Sequence, residues 1–141
     1  MEPFHAEEPS SASADRVRRS TGIELNRQID CQTDASIKSY ASLGREAVLW
    51  RIKALDCEWD VERVLEVNAS TLALSGVVLG VTVNKKWLLV PGVVLSFLLQ
   101  HSLQGWCPPL PLLRRLGVRT RGEIDREKYA LKASLHSGVT S

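Results

Sequence analysis

The distribution of charge along the chain constrains its fold more than any other feature. The 47 residues from 67 to 113 contain two charged side chains, Lys85 and Lys86. Residues 1–66 carry 9 basic and 13 acidic side chains, and residues 114–141 carry 7 basic and 3 acidic ones. A soluble helical domain normally gives each surface helix a charged face. The segregation therefore indicates an apolar membrane segment between two polar flanks.

Composition excludes several classes of protein. The 141 residues suffice for one ordinary domain, and a net charge of +2 is too small for a strongly basic nucleic-acid binder. Three cysteines without CxxC spacing predict neither a disulfide framework nor a zinc site. No P-loop, Rossmann glycine pattern, nucleophile elbow or HExxH motif is present. We therefore expect no catalytic residue, metal, cofactor or nucleic-acid partner, and the sequence identifies no small-molecule substrate.

Two apolar runs in the middle of the chain predict a helical hairpin. Residues 67–83 and 87–103 are each free of charge and are separated by a short turn. At about 1.5 Å per residue, each helix would span about 25 Å, close to the ~30 Å hydrocarbon core. The alternative is a pair of buried helices in a soluble bundle. We predict an all-α fold in which residues 67–113 form a two-helix transmembrane hairpin ending in a Cys-Pro turn, with amphipathic cytosolic helices on both flanks.

Small residues recur at helical spacing in both runs. They are Ala69, Ala73, Gly76 and Gly80 in the first run, and Gly92 and Ser96 in the second. In lipid, small residues favour helix association because they allow the backbones to approach closely. The two stripes are predicted to face each other within the hairpin, or Gly76 and Gly80 could pair two copies of the chain.

Aromatic and basic residues predict the orientation in the bilayer. Trp87 and Trp106 lie at opposite ends of the second run, and Arg114 and Arg115 follow it; all four are predicted interface anchors. The flanks place 11 Lys and Arg residues near the membrane, whereas the turn has two. This imbalance predicts that both termini are cytoplasmic.

The flanks are predicted to be mostly helical. Residues 1–22 resemble a disordered tail, and residues 23–66 form a helical cytosolic segment with a short helix over 34–43 and a second helix over 43–66 that runs into the membrane.

Residues 114–141 form a basic tail, in which Thr120 and Glu123 match a helix-capping pattern. This pattern predicts a helix from about residue 121 to 135. We expect its basic side to contact anionic lipid headgroups.

Cys107 is the candidate for thiol chemistry. It lies in a proline-rich turn where the second helix must stop. Arg114 and Arg115 nearby would favour a thiolate acting as a nucleophile or persulfide carrier, but a small residue filling a tight helix exit is the favoured interpretation. His101 is interpreted as a hydrogen-bonded side chain near the headgroups, rather than a metal ligand or proton relay.

Residues 62–116 resemble a known membrane family. The resemblance rests on Arg63, the glycine-containing first run, Trp87, the sequence Gly105-x-Cys107-Pro108, and Leu116-Gly117. This stretch is similar to the inner membrane protein YgaP-like transmembrane domain, a bacterial two-helix domain of unknown function that some proteins join to a rhodanese sulfurtransferase. The chain has Pro109-Leu110-Pro111 where members commonly have Leu-Tyr, and nothing in it resembles a rhodanese, so sulfurtransferase activity is not carried over.

The sequence as a whole predicts a non-enzymatic anchor or assembly module of the bacterial inner membrane. It would be embedded in the lipid bilayer and would form a homo-oligomer or bind a helical protein partner. Two alternatives stay open: an accessory thiol carrier acting through Cys107, and a soluble helical interaction domain.

Overall fold

The structure is a computed structural model that describes residues 16–137. Within this range the chain forms six α-helices: α1 Ile23–Ser42, α2 Arg45–Cys57, α3 Val61–Thr82, α4 Leu89–Gln104, α5 Leu110–Arg115 and α6 Arg121–Ser137. A 3-10 helix, Lys85–Leu88, joins α3 to α4, and residues 16–19 are also helical. The described residues contain no strand, which confirms the all-α prediction for this part of the chain.

Helices α3 and α4 form a hairpin around a tight turn. The Asn84 side chain accepts a hydrogen bond of 3.0 Å from the backbone N–H of Lys86, which starts the 3-10 helix. The stretches Arg45–Thr82 and Lys85–Gln104 both contain a segment long and apolar enough to cross a membrane. Only 17% of the first segment and 6% of the second are buried within the fold, whereas the core helix of a soluble protein is mostly buried.

The glycine stripe of α3 lies against the start of α4. A Cβ atom added to Gly76 would lie 2.5 Å from Cδ of Pro91, and one added to Gly80 would lie 2.6 Å from Cδ2 of Leu88. Ala69 and Ala73 continue this half-buried line toward the open end of the hairpin. The missing side chains therefore provide the space that bulkier residues of the 3-10 helix and α4 fill.

The second small-residue stripe, on α4, does not lie at the contact between α3 and α4. Gly92 and Ser96 are exposed, and a Cβ added to Gly92 would have no neighbour within 4 Å. The prediction that this stripe faces the first is therefore wrong. Two facing rows of small residues would leave a gap. Instead, Leu88 of the 3-10 helix and Pro91 of α4 lie against the glycines of α3.

Helices α1, α2 and α6 pack together at the open end of the hairpin. Their shared core contains Val48, Leu55, Ile124 and Leu131, and Ile37 of α1 packs against it. Helices α1 and α2 precede the hairpin, and α6 follows it. Because the three helices pack on one another, both flanks form a single bundle at the same end of the hairpin.

A second apolar cluster joins the start of α3 to α5 and to the short helical segment at residues 16–19. It contains Val17, Val61, Leu65, Cys107 and Leu110. Because Val17 is buried, the predicted disorder of the tail is wrong for residues 16–22, while residues 1–15 lie outside the described part.

The approach of this N-terminal segment depends on Gly105, which ends α4 at φ 74°. A Cβ on Gly105 would lie 2.6 Å from Cβ of Arg16. Both the backbone conformation and the close contact therefore favour glycine.

Two helix boundaries differ from the predictions. Helix α1 is continuous over Ile23–Ser42, so the helix predicted over 34–43 is only its second half. The helix predicted over 43–66 is interrupted between Cys57 and Val61. There the carboxylate of Asp60 accepts a 2.8 Å hydrogen bond from the N–H of Arg63 and caps α3, which stabilises a new helix start.

We predict that Gly76→Leu disrupts the hairpin. The added side chain would collide with the rigid ring of Pro91 and with Val90, so α3 and α4 must separate. Thermal unfolding in mild detergent, followed by circular dichroism, should give a clearly lower Tm. Val78→Leu is the matched control, because Val78 is 52% exposed on the same helix. Equal Tm values for the two variants would contradict this packing.

Candidate functional site

A buried ion pair lies where the hairpin meets the bundle. Arg114 on α5 is fully buried, and its guanidinium donates hydrogen bonds of 2.7 and 2.8 Å to the two carboxylate oxygens of Glu123 on α6. It also donates to Asn26 Oδ1 at 2.8 Å and to the carbonyl oxygen of Val118 at 3.2 Å. A buried arginine is tolerated when its donors find acceptors in this way.

Helix capping fixes the position of Glu123. Its carboxylate accepts a 2.8 Å hydrogen bond from the N–H of Thr120, and its own N–H donates to the Thr120 hydroxyl at 3.3 Å. This reciprocal geometry confirms the capping pattern predicted from the sequence. Arg18 supplies a second cation, 2.5 Å from Glu123 and 2.8 Å from Asp30 on α1.

A second buried carboxylate follows one turn along α6. Glu127 is fully buried, and it lies 2.8 Å from Arg51 of α2 and 2.5 Å from Arg119. The hydroxyl of Ser36 on α1 also donates to it, at 2.6 Å. Arg119 extends the cluster to Glu58, at 2.6 Å. One carboxylate of α6 is thus bound by side chains from both N-terminal helices.

These contacts define a junction network of ten side chains. Its members connect the residues before the hairpin to the residues after it: Arg18, Asn26, Asp30, Ser36, Arg51, Glu58, Arg114, Arg119, Glu123 and Glu127. Sequence reasoning assigned Glu123 a capping role and counted Arg51, Arg114 and Arg119 among the basic residues near the membrane, but it predicted none of the ion pairs of this network. The available signal was the opposite net charge of the two flanks.

Exposed ion pairs extend the same complementarity. Arg126 lies 2.9 Å from Asp34, and Lys128 pairs with Asp56. The charges of these two residues face carboxylates of α1 and α2, while the contact of the basic side of α6 with lipid headgroups stays a prediction.

The buried carboxylates are held in their ionised forms. Burial opposes ionisation of Glu123, but hydrogen bonds from Arg114 and from the Thr120 N–H, with the charge of Arg18, outweigh it and lower its pKa. Burial of Glu127 is outweighed in the same way by Arg51 and Arg119, so its pKa is also lowered. A lowered carboxyl pKa adds stability that is complete above the ordinary glutamate range and is lost as the pH falls below it. The network is therefore intact at neutral pH.

The predicted interface anchors have different environments. Trp87 lies near the start of the second candidate span, Lys85–Gln104, and Trp106 lies two residues after its end; they are 45% and 39% exposed. Arg115 is exposed. The assignment of Arg114 as an interface anchor is wrong, because its charge is directed to Glu123 inside the protein instead of toward headgroups.

The geometry around Cys107 argues against a reactive thiol. Cys107 is 3% exposed within the apolar cluster that it forms with Val17, Val61, Leu65 and Leu110. Burial raises the pKa of its thiol above the ordinary value, although the N–H of Leu110 partly offsets this. The guanidinium of Arg114, which was expected to favour a thiolate, is bound to Glu123. A buried thiol of raised pKa is a poor nucleophile.

His101 differs from its predicted state. It is 9% exposed on α4, and its Nδ1 atom is buried without a hydrogen-bond partner. The prediction of a hydrogen-bonded His101 is therefore wrong for this atom. Among residues 16–137, no three histidine, cysteine or acidic side chains lie together as a metal-binding group.

Comparisons with known proteins return no relative: no family model matches the chain, and neither a curated protein nor a solved structure is significantly similar to it.

We predict that Glu123→Gln destabilises the bundle by about 3–5 kcal/mol, because it leaves the buried Arg114 without a counter-charge. Asp125→Asn is the matched control on the same helix. Its partly exposed pair with Arg121 should contribute less than about 1 kcal/mol. Urea unfolding in mild detergent, followed by the fluorescence of the chain, measures the free energy of unfolding of both variants. If Glu123→Gln is as stable as the control, the junction network does not stabilise the bundle.

We also predict unequal reactivity of the three cysteines. Cys31 and Cys57 are exposed, whereas Cys107 is buried. A small maleimide should therefore label the first two rapidly in the folded protein, and Cys107 only after denaturation. Mass spectrometry of the digested protein measures the label at each position. Rapid labelling of Cys107 in the folded state would restore the thiol-carrier hypothesis.

Proposed function

We propose that this chain is a non-enzymatic anchor or assembly module of the bacterial inner membrane. In this proposal the hairpin of α3 and α4 crosses the bilayer, and the bundle of α1, α2 and α6 lies on the cytoplasmic side. The module would hold its bundle at the membrane surface, where it would bind a helical partner or a second copy of the chain.

The observation that carries the proposal is the outward apolar surface of the hairpin. Eight large aliphatic side chains of the hairpin are more than half exposed: Leu72, Leu74, Val78, Val81, Leu89, Leu95, Leu99 and Leu103. In water such a continuous apolar surface would be strongly unfavourable, whereas in a bilayer it contacts acyl chains.

The length of the hairpin is compatible with a bilayer. Lys85–Gln104 contains 20 residues, which correspond to about 30 Å at 1.5 Å per helical residue. This length equals the ~30 Å thickness of a typical hydrocarbon core. The hydroxyls of Thr71 and Ser75 donate to backbone carbonyls four residues earlier, so their polarity is satisfied within α3.

The distribution of charges supports the orientation. The ion pairs between α6 and the N-terminal helices hold both flanks at one end of the hairpin, so both would lie on the same side of a bilayer. That end contains most of the Lys and Arg residues, which favours the cytoplasm. The resemblance of residues 62–116 to a bacterial inner-membrane domain agrees with this placement.

The bundle offers an apolar surface for a partner. Leu43, Leu49 and Trp50 are 67%, 47% and 64% exposed around the start of α2. Because exposed apolar patches rimmed by polar residues commonly mark protein interfaces, we expect a photocrosslinker at residue 50 to capture a helical partner or a second copy in native membranes.

Fractionation and cysteine labelling test the membrane placement. We expect the chain to stay in the membrane pellet after carbonate extraction. In the Asn84→Cys variant, a membrane-impermeant maleimide should label residue 84 in intact spheroplasts, because the turn would face the periplasm. Cys31 and Cys57 should become labelled only after lysis.

The unaltered chain is the control for labelling at position 84. Release by carbonate would favour the alternative of a soluble helical domain. Labelling of Cys31 and Cys57 in intact spheroplasts would contradict the orientation.

A further inference from the structure

A mainly apolar cavity lies at the junction of α3, α4 and α5. Its volume is about 420 Å³, within the range of small-molecule sites. Leu72 and Leu112 line it and are also exposed, at 54% and 61%. In the proposed membrane placement, the cavity is therefore accessible from the acyl-chain region, near the cytoplasmic end of the hairpin.

His101, one of the residues that line this cavity, has a buried ring nitrogen, Nδ1, without a hydrogen-bond partner in the described part of the chain. The same side chain also lines a smaller neighbouring cavity, together with Arg16, Glu62 and Glu66. Asn68, the other polar amide in the lining, already donates to the carbonyl oxygen of Val64 at 2.9 Å. Buried polar atoms are nearly always hydrogen-bonded, so the unpartnered nitrogen indicates a ligand that supplies a polar group.

The residues that line the cavity offer no counter-charge to a charged ligand. No Lys, Arg, Asp or Glu belongs to the residues around the cavity. A carboxylate or phosphate placed there would lose its hydration without gaining a counter-charge. The ligand should therefore be neutral.

The lining also favours an aromatic or quinonoid ring. Phe97 lies four residues before His101, so both belong to the same face of α4. A planar ring could pack on Phe97 while its carbonyl oxygen accepts a hydrogen bond from Nδ1–H in the corresponding tautomer of His101.

We propose that this cavity binds a neutral, lipid-soluble carbonyl compound of the quinone class, with the ring between Phe97 and His101 and the apolar tail directed into the bilayer. The proposal rests on the proposed membrane placement of the hairpin. It adds a ligand to that function and requires no redox step by the protein.

A binding experiment with the full chain in phosphatidylcholine nanodiscs tests the proposal. Decylubiquinone is the probe, and quenching of tryptophan fluorescence is the readout, because Trp106 is adjacent to Cys107 in the cavity wall. We expect a saturable component above the linear background of partitioning. His101→Leu should weaken it about tenfold, as expected for the loss of one hydrogen bond.

Two further variants separate the cavity from indirect effects. His136→Leu is the matched control, because His136 is an exposed histidine at the far end of α6, and binding should be unchanged. Ala69→Phe places a ring in the cavity without altering His101 and should abolish saturable binding.

Several outcomes would overturn the proposal. They are the absence of saturable quenching in the parent chain, equal binding by His101→Leu, or equally effective competition by palmitate, which is anionic. If the chain resists carbonate extraction but shows no saturable binding, only the quinone site fails. If carbonate releases the chain, the membrane module and the site fail together.

Discussion

The pairing of charges between the two flanks is the interaction on which the rest of the structure depends. Arg114 and Glu123 are almost completely buried, and each would be strongly unfavourable without the other. A buried ion pair adds little net stability compared with apolar packing, but it penalises every arrangement that separates its members. With Glu127 one turn farther along, it fixes the rotation and register of α6 against α1 and α2.

This pairing and the hairpin depend on each other. The contact of Gly76 with Pro91 brings α3 and α4 together and returns the chain to the end where it entered the hairpin. The basic flank then meets the acidic flank, and the cluster around Val61 and Leu110 packs α5 and the N-terminal segment against the start of α3. In the proposed function, such a junction would present the bundle to a partner in a defined orientation.

The sequence allowed much of the fold to be predicted, and less of the site. The uncharged runs and the Lys-Lys turn between them predicted the two hairpin helices, and Thr120 with Glu123 predicted the start of α6. Both patterns could be recognised because each depends on residues that are close together in the sequence. The roles of Arg51, Arg119 and Glu127 were missed, since their partners lie 76 and 8 residues apart in the chain. The neighbouring sequence of a charged residue does not show whether its side chain is exposed to solvent or buried in an ion pair.

The sequence by itself determined the helical class, the apolar hairpin and the opposite charges of its flanks, because composition and periodicity are local properties. Only the tertiary structure decided which small residues make contact: Gly76 faces the start of α4 and Gly80 faces the 3-10 helix, while Gly92 is exposed. It also decided that Arg114 is buried, that Cys107 is inaccessible and that Nδ1 of His101 lacks a partner. These properties depend on which helix faces pack together, and that choice is made by contacts between residues far apart in the chain.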